Sequence, residues 1–446
     1  MKVAVIGAGG TRTPLLVRGL AESGLPIERV ALYDLDASRL RAMASVAAQY
    51  AGPLKLEPCD RSTQAIENAD YVLFSIRAGG ERARARDERA ALDCGVVAQE
   101  TVGASGFAMA LRSIPPLLEY AREVERLAPG AVIVNFTNPV SIVTQALTSY
   151  TRARVVGICD TPTELFEATA LVLGLDSRAC FFDYFGLNHL GWLREVYYQG
   201  VPQLHRVWEG GGFLDRIYRA PIFTRATLDG LRMLPTEYLY FYYSPEDAVA
   251  HMKRAGETRG EALARMNARL FADLGEPSAQ RVGGGAPTQQ EKSVRPATAT
   301  YETYLRARES SYLEVETGTS RGDVPPWVAL AGYEKMAMRL LRAIHFDEGA
   351  VMPLDVPNRG NLSDLESEDV VEVPSVVNRS GVFPLHVPPV PFAVRDLLIR
   401  VKRYERETVA AALSMEKESR IAALALHPLV GDRDLSRRVL EAMGIS

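Results

Sequence analysis

Lys2-Val3-Ala4-Val5-Ile6-Gly7-Ala8-Gly9-Gly10-Thr11-Arg12-Thr13-Pro14 is the stretch whose reading decides the fold. Its first five residues read as a hydrophobic strand, a glycine turn follows, and Leu15 to Leu20 reads as a helix. Strand, glycine turn and helix N-terminus together form a cradle for a dinucleotide pyrophosphate. The turn lets backbone N–H groups approach the phosphates, and the helix end favours negative charge. Gly7, Gly9, Gly10 and Thr11 are therefore the candidate cofactor contacts. The sixth position of the usual glycine fingerprint is Arg12, a departure from the rule. The second strand, Val30-Ala31-Leu32-Tyr33, ends in Asp34. A carboxylate there binds an adenosine ribose and disfavours a 2′-phosphate, so NAD is expected over NADP. A solvated strand-end aspartate is the plain alternative.

Outward from that stretch, Tyr71 to Ile76 and Ala131 to Phe136 read as further parallel strands, with helical periodicity from Phe107 to Leu127 between them. The alternation predicts an α/β fold, a Rossmann-like doubly wound parallel sheet. Such sheets bind ligands at the C-terminal ends of their strands. Arg77-Ala78-Gly79-Gly80 and the charged run Arg82, Arg84, Arg86, Asp87-Glu88 fall there. Arg77 is a candidate for the cofactor and Arg84 for a phosphate or sugar; a solvated helix face would carry the same charges. Gln99-Glu100-Thr101-Val102-Gly103 is a polar turn before the next helix. Thr137-Asn138-Pro139 ends another strand, where Asn-Pro breaks the backbone and aims the Asn138 amide at the cleft. Lactate and malate dehydrogenases use a similar Asn-Pro, so this feature marks a class of fold and not a reaction.

Arg154-Val155-Val156-Gly157-Ile158-Cys159-Asp160-Thr161-Pro162-Thr163-Glu164 reads as a strand running into a capping box, with Thr161 as N-cap, Pro162 first in the helix and Glu164 three residues on. Cys159 and Asp160 would then lie at a helix N-terminus, where unpaired N–H groups favour a thiolate. Gly186-Leu187-Asn188-His189 follows the aromatic segment Phe181 to Phe185. A thiolate from Cys159 and an imidazole from His189, brought together at neighbouring strand ends, would share a divalent ion and leave its other positions open. A buried cysteine and a hydrogen-bonded histidine would show the same spacing.

Past residue 190 the alternation fades, which predicts a Rossmann-like unit over 1–190 and an α+β substrate and oligomerisation domain over 191–446. Met233 to Tyr243 is dense in tyrosine, mostly core, though one tyrosine near positive charge would serve as a base. Glu257-Thr258-Arg259-Gly260 opens an amphipathic helix running to about Leu270. Residues 275–300 read as a mobile loop or insertion. Tyr333 to His345 reads as a helix, Asn358 to Asn361 as a turn, Val370 to Pro374 as a strand, and Val394 to Leu426 as helical, with a further helix after Asp432. The remaining histidines, His205, His251, His345, His386 and His427, lack partners at metal spacing. A net charge of −4 with a pI near 6.0 gives no support for nucleic-acid or anionic-membrane binding. No apolar run is long enough for a membrane span. Met1-Lys2 leads straight into the strand-like Val3 to Ile6, too short for a signal-peptide h-region, so no signal peptide is expected. The four cysteines show no disulfide framework, which fits a reducing cytoplasm.

Taken in order, these motifs resemble glycoside hydrolase family 4, the NAD- and metal-dependent glycosidases that stand outside the two-carboxylate scheme. The resemblance runs along most of the chain. It rests on Gly7 to Pro14, Arg77 to Gly80, Gln99 to Thr101, Asn135 to Pro139, Gly157 to Cys159, Tyr184 to His189 and Tyr238-Leu239-Tyr240-Phe241-Tyr242. It implies that Cys159 and His189 bind a divalent ion, usually manganese, that also holds the sugar's 2- and 3-hydroxyls. It implies hydride transfer from C3 to NAD, removal of the acidified C2 proton by Tyr238, elimination from C1, addition of water and return of the hydride. Asp160 matches a position that serves as general acid in some members. Arg259 matches a position that binds the 6-phosphate, with Thr13 and Arg84 assisting, and Asn138 and Asn188 are further substrate contacts. The expectation is a cytoplasmic, oligomeric 6-phospho-glycosidase, a homodimer or homotetramer, with the β-glucoside preferred to the α-glucoside. The family also contains α-galactosidases and α-glucuronidases. Two rivals have other signatures. A 2-hydroxyacid dehydrogenase would make net NADH and would need a histidine base and an arginine clamp. A non-catalytic NAD or sugar sensor would keep its ligand response after Cys159→Ser.

Overall fold

The fold is built on one long mixed sheet, seen in a computed structural model that describes residues 1–218, 222–275, 296–318, 333–414 and 416–445. Its strands are β1 (Lys2–Ile6), β2 (Arg29–Tyr33), β3 (Lys55–Cys59), β4 (Tyr71–Phe74), β5 (Val132–Asn135), β6 (Arg154–Gly157), β7 (Cys180–Leu187), β8 (Leu190–Tyr198), β9 (Val201–Pro202), β10 (Leu234–Pro235), β11 (Ala350–Pro357), β12 (Val370–Asn378) and β13 (Gly381–Pro384). The parallel half runs β3-β2-β1-β4-β5-β6, the doubly wound dinucleotide order. β1 and β4 are buried along their whole length, as strands covered on both faces by helices must be. The order reverses between β1 and β4, and the crevice at the C-terminal ends of these two strands is where such sheets take their ligands.

The second half continues the same sheet with antiparallel strands, in the order β6-β11-β12-β7-β8-β10. A single-residue pairing joins it to the parallel half, Asp355 of β11 to Gly157 of β6, and a second, Glu372 of β12 to Gly186 of β7, holds β7 and β8 on to it. A division between residues 190 and 191 falls inside β8. The expected α/β architecture with an α+β C-terminal part is what the chain adopts, the latter closed by the Phe392–Ser414, Lys417–Ala425 and Arg433–Ala442 helices.

Three local expectations need correction. The Thr161–Leu173 helix starts one residue earlier than the capping-box reading requires. Asp160 occupies the N-cap with right-handed backbone angles and makes no side-chain cap. The C-terminal helical stretch is two helices, Phe392–Ser414 and Lys417–Ala425, with Glu416 extended before the second. The expected loop over 275–300 lies for the most part (276–295) outside the described residues, and from Ala297 the chain is helical, to Ser310. Among the described residues no helix is long and apolar enough to cross a membrane.

Candidate active site

The glycine turn after β1 is shaped by what approaches it. Gly7 has φ of 97°, and its N–H and that of Ala8 both donate to the Tyr33 carbonyl of β2. A Cβ at Gly7 would stand 2.2 Å from the Ser75 carbonyl oxygen, beyond the end of β4. A Cβ at Gly9 would stand 2.8 Å from Cγ of Asp34. The Gly9 N–H donates to Asp34 Oδ2 at 2.8 Å, and the Asp36 N–H donates to Oδ1 at 2.9 Å. Turn and acid are thus one rigid unit at the switch point. Arg12 has φ of −89°, in the right-handed region, so the sixth fingerprint position needs no glycine here. Its guanidinium instead lies 4.0 Å from Glu309 and 3.8 Å from Glu334. Thr11 is also held from that side: its hydroxyl accepts from Arg308 at 3.0 Å and from Tyr304. Thr13 is buried at the first position of the Thr13–Glu22 helix.

One cavity of about 510 Å³ runs from this turn across the C-terminal ends of the parallel strands. Gly7, Gly9, Gly10 and Asp34 line one part; Asp160, Tyr238 and Arg259 line another. Arg39 also lines it, but both its Nη atoms are committed to Glu81, at 2.8 and 3.0 Å. No free guanidinium at that position is on offer to a 2′-phosphate. These features fit a dinucleotide, and NAD better than NADP.

The structure brings His189, Tyr238, Cys159 and Asp160 into one neighbourhood. His189 sits in the β7–β8 turn with φ of 62°, and its ring stacks on that of Tyr238, centroids 3.6 Å apart and planes 2° from parallel. Burial drops the imidazole to about 3, so it is neutral, a state in which it can ligate a metal. Its Nδ1 lies 2.7 Å from the Thr101 hydroxyl, and Nε2 is left without a partner among the described residues. Cys159 is buried beside Asp160, and its charge would act on Tyr238. Burial, then the Glu372 and Asp160 carboxylates, push the thiol well up; the Thr161 hydroxyl and N–H oppose them and lose. The expected thiolate is therefore a thiol in the chain alone, because desolvation outweighs the helix end. Tyr238 is a phenol for the same reason, with Glu237 adding to the burial. Asp160 is pushed up to about 6 by burial, against the pull of Arg12.

Among the described residues Oδ1 of Asn138, before the cis bond to Pro139 in the cavity wall, has no partner, while the buried Asn188 amide faces Glu372 and helps hold that carboxyl down. No group of three or more His, Cys, Asp or Glu among the described residues is arranged to hold a metal. The chain itself thus offers a thiol sulfur and an imidazole nitrogen, a pair that suits a first-row divalent ion with its remaining positions open.

Around the far wall, cations crowd. Burial weakens the proton affinity of Arg259, Glu316 works against that, and Arg308 and Arg84 reinforce it. Arg259 donates to Ser311 Oγ at 2.7 Å and to the Arg308 carbonyl at 2.8 Å. Arg84 is less free than its sequence position suggests, since it pairs with Glu88 at 2.6 Å and Glu100 at 2.5 Å. Arg77 meets Glu100 at 2.6 Å. Glu316, facing these cations, is buried enough to rise to about 7.

Several residues at the site escape a reading of the sequence. Tyr312 donates to Glu237 Oε1 at 2.7 Å and lies 3.1 Å from the Tyr238 hydroxyl. Arg308, Glu309 and Tyr312 come from the end of the Ala297–Ser310 helix and the turn after it. They follow a stretch of weak periodicity, and no local motif announces them. Thr101 and Gln99 were visible as turn chemistry and as part of the family's motif, but not as partners of His189.

Comparison with known proteins gives the following. The family model described as Family 4 glycosyl hydrolase matches residues 2–175, and that of its C-terminal domain matches residues 184–430. A probable 6-phospho-beta-glucosidase of Bacillus subtilis is 28% identical over 460 residues, covering 99% of this chain and 95% of the relative. The phospho-alpha-glucosidase PagL of Clostridium acetobutylicum is 26% identical over 450 residues, covering 98% and 96%. The solved structure of the 6-phospho-beta glucosidase from Thermotoga maritima with manganese, NAD+ and glucose-6-phosphate has a TM-score of 0.80 at 27% identity, covering 99% of this chain and 98% of its own. A lactate dehydrogenase from a deep-sea metagenome library shares the fold alone, with a TM-score of 0.53 at 13% identity over 92% of this chain and 98% of its own.

Proposed function

The chain belongs to glycosyl hydrolase family 4, and from that premise we propose that it hydrolyses 6-phospho-glucosides, β-linked ones by preference, with NAD and Mn²⁺. The observation that carries this reading is the single cavity: the glycine turn with Asp34 and the Tyr238–Asp160–Arg259 group line one space, so cofactor and sugar would meet inside it. Bound NAD supplies a hydride acceptor for C3, and the divalent ion polarises the resulting ketone and supplies the positive charge that lowers neighbouring phenol and thiol pKa values.

The chain's own residues do the rest. Gly7, Gly9, Gly10 and Thr11 admit the pyrophosphate, Asp34 takes the ribose, and Arg77 and Asn138 fix the nicotinamide end. Cys159 sulfur and His189 Nε2 would hold the divalent ion. Tyr238 removes the C2 proton, its ring held parallel against His189. Asp160, a carboxyl that burial keeps protonated further up the pH scale than usual, gives a proton to the leaving oxygen. Asn138, whose amide oxygen has no partner among the described residues, and Asn188 would meet sugar hydroxyls. Arg259 receives the 6-phosphate, with Thr13 and Arg84 supporting it. In this division of labour residues 1–190 bind NAD and residues 191–446 complete the substrate side. We place the enzyme in the cytoplasm, where its four free cysteines stay reduced, as a homodimer or homotetramer.

The test is hydrolysis of p-nitrophenyl 6-phospho-β-D-glucoside and its α-anomer, with and without Mn²⁺, NAD and a reductant. The expected result is β-cleavage that needs both additions and accumulates no NADH. Cleavage indifferent to NAD and metal would sink the mechanism. Net NADH would favour a dehydrogenase. Activity on the α-anomer alone would transfer the proposal to the phospho-α-glucosides on which PagL is named to act.

A further inference from the structure

We propose that Thr101, held in place by Gln99, fixes His189 as the tautomer protonated on Nδ1, and so presents the Nε2 lone pair to the divalent ion. The metal half of this inference rests on the function proposed above; the tautomer half does not. Gln99 Oε1 accepts the backbone N–H of Thr101 at 2.7 Å and that of Val102 at 3.2 Å, which identifies it as the amide oxygen. The same atom lies 2.7 Å from the Thr101 hydroxyl. An amide oxygen only accepts, so the Thr101 O–H must donate to it. The Thr101 oxygen is then an acceptor toward His189 Nδ1, also 2.7 Å away, and the ring proton must sit on that nitrogen. A neutral imidazole has one proton, which leaves Nε2 bare.

The frame around Thr101 is stiff. A Cβ at Gly106 would stand 2.5 Å from the Thr101 carbonyl carbon and oxygen, so the Gly103–Leu127 helix packs on the threonine backbone as only glycine permits. Gly103, at φ of 65°, donates its N–H to His427 Nε2 at 3.1 Å. Gln99, Thr101 and His189 are all buried. The histidine is thus oriented from two sides, by the Tyr238 ring against its face and by Thr101 at its edge. Outer partners of this kind set ring orientation and ligand basicity, and their loss costs on the order of 10- to 100-fold in metal affinity. Thr101 touches neither substrate nor metal, so it is a positioning residue.

The test uses the full chain labelled with [¹⁵N]histidine. Long-range ¹H–¹⁵N spectra report which ring nitrogen carries the proton, and His189→Asn identifies the signal. Mn²⁺ affinity is measured in parallel from the electron paramagnetic resonance of the free ion. Expected are an Nδ1–H form in the native chain, its loss in Thr101→Val, and its retention in Thr101→Ser. The valine variant should bind Mn²⁺ roughly 10- to 100-fold more weakly, the serine variant near the native value. A native His189 protonated on Nε2, or a valine variant that keeps both tautomer and affinity, would overturn the inference. A tautomer that responds as expected in a chain that takes up no Mn²⁺ would overturn the metal half alone, and with it the proposed function. Should the valine variant fail to fold, the native spectrum and the serine variant still decide the tautomer.

Discussion

Replacing Gly9 by alanine would set a methyl carbon 2.8 Å from Cγ and 2.9 Å from Oδ2 of Asp34, a side chain that two backbone N–H groups hold still. Relief requires breaking the Gly9–Asp34 bond, a charge-assisted contact of roughly 1.5–3 kcal/mol. Gly9→Ala should therefore weaken NAD binding by about 10- to 100-fold in titration calorimetry. Unchanged affinity would mean that Asp34 does not face the ribose. Tyr238→Phe keeps the ring that stacks on His189 and removes only the hydroxyl. We expect kcat to fall by about 10²- to 10⁴-fold, the usual contribution of a general base, with NAD and Mn²⁺ affinities unchanged. A fall in affinity instead would recast Tyr238 as packing. At this scale the glycine turn was legible in the sequence because its constraint is local: strand, turn and helix follow one another. Thr101 was not, because its partner lies 88 residues further along the chain.

Cross-strand pairing on β11 and β12 sets Asp355 opposite Glu372, two buried carboxylates side by side. Tyr184 donates to Glu372 at 2.5 Å, while neither oxygen of Asp355 meets a donor among the described residues. Burial raises both groups, Glu372 to about 7 and Asp355 well above its ordinary value; the Glu372 carboxylate pushes Asp355 further up, while hydrogen bonds from Tyr184 and Asn188 hold Glu372 down. The sign follows from proton counts. Between the unfolded value near 4 and the folded value, the native state holds a proton that the unfolded chain has released, so stability falls with rising pH. The slope is about 1.4 kcal/mol per pH unit per proton. Asp355→Asn removes the second charge and supplies an amide donor. Its melting temperature should match the native chain's near pH 4, exceed it increasingly as the pH rises from there toward the raised folded value of Asp355, and stay ahead above that. A pH-independent difference would refute the coupled pair. These elements also mark where sequence reading fails. β3 is an edge strand, half exposed and carrying Pro58, so it lacks an apolar run. β11 hides its buried face behind Pro353, Asp355 and Pro357. Buried polar residues placed for a site break the pattern by which a strand is recognised.

The sheet crosses from the parallel half to the antiparallel half without an edge, and this determines how the whole chain must fold. Strand alternation was legible over the first 160 residues because each parallel strand other than β3 is a short apolar run between helices. The continuation was not, since β7 pairs with β8 by a hairpin but finds its other partner, β12, nearly 190 residues on. A chain cut after residue 190 would keep β7 but lose both neighbours, exposing an aromatic strand in which Phe182 stacks on Phe166 at 4.4 Å and Tyr184 packs against the same ring at 5.4 Å. An exposed apolar edge of that kind templates aggregation. The fragment 1–190 should therefore be insoluble or lack cooperative unfolding, despite containing the complete glycine turn. The intact chain should unfold in one calorimetric transition. NAD at about 100 times its Kd should move that transition as a unit, by the equivalent of about 2.7 kcal/mol. Two transitions, only the earlier or later of which responds to NAD, would show instead that the single-residue pairing at Gly157 does not couple the halves. One shared transition would tie NAD binding directly to the stability of the strands that carry His189, because β7 and β8 could not open while the parallel half stayed closed.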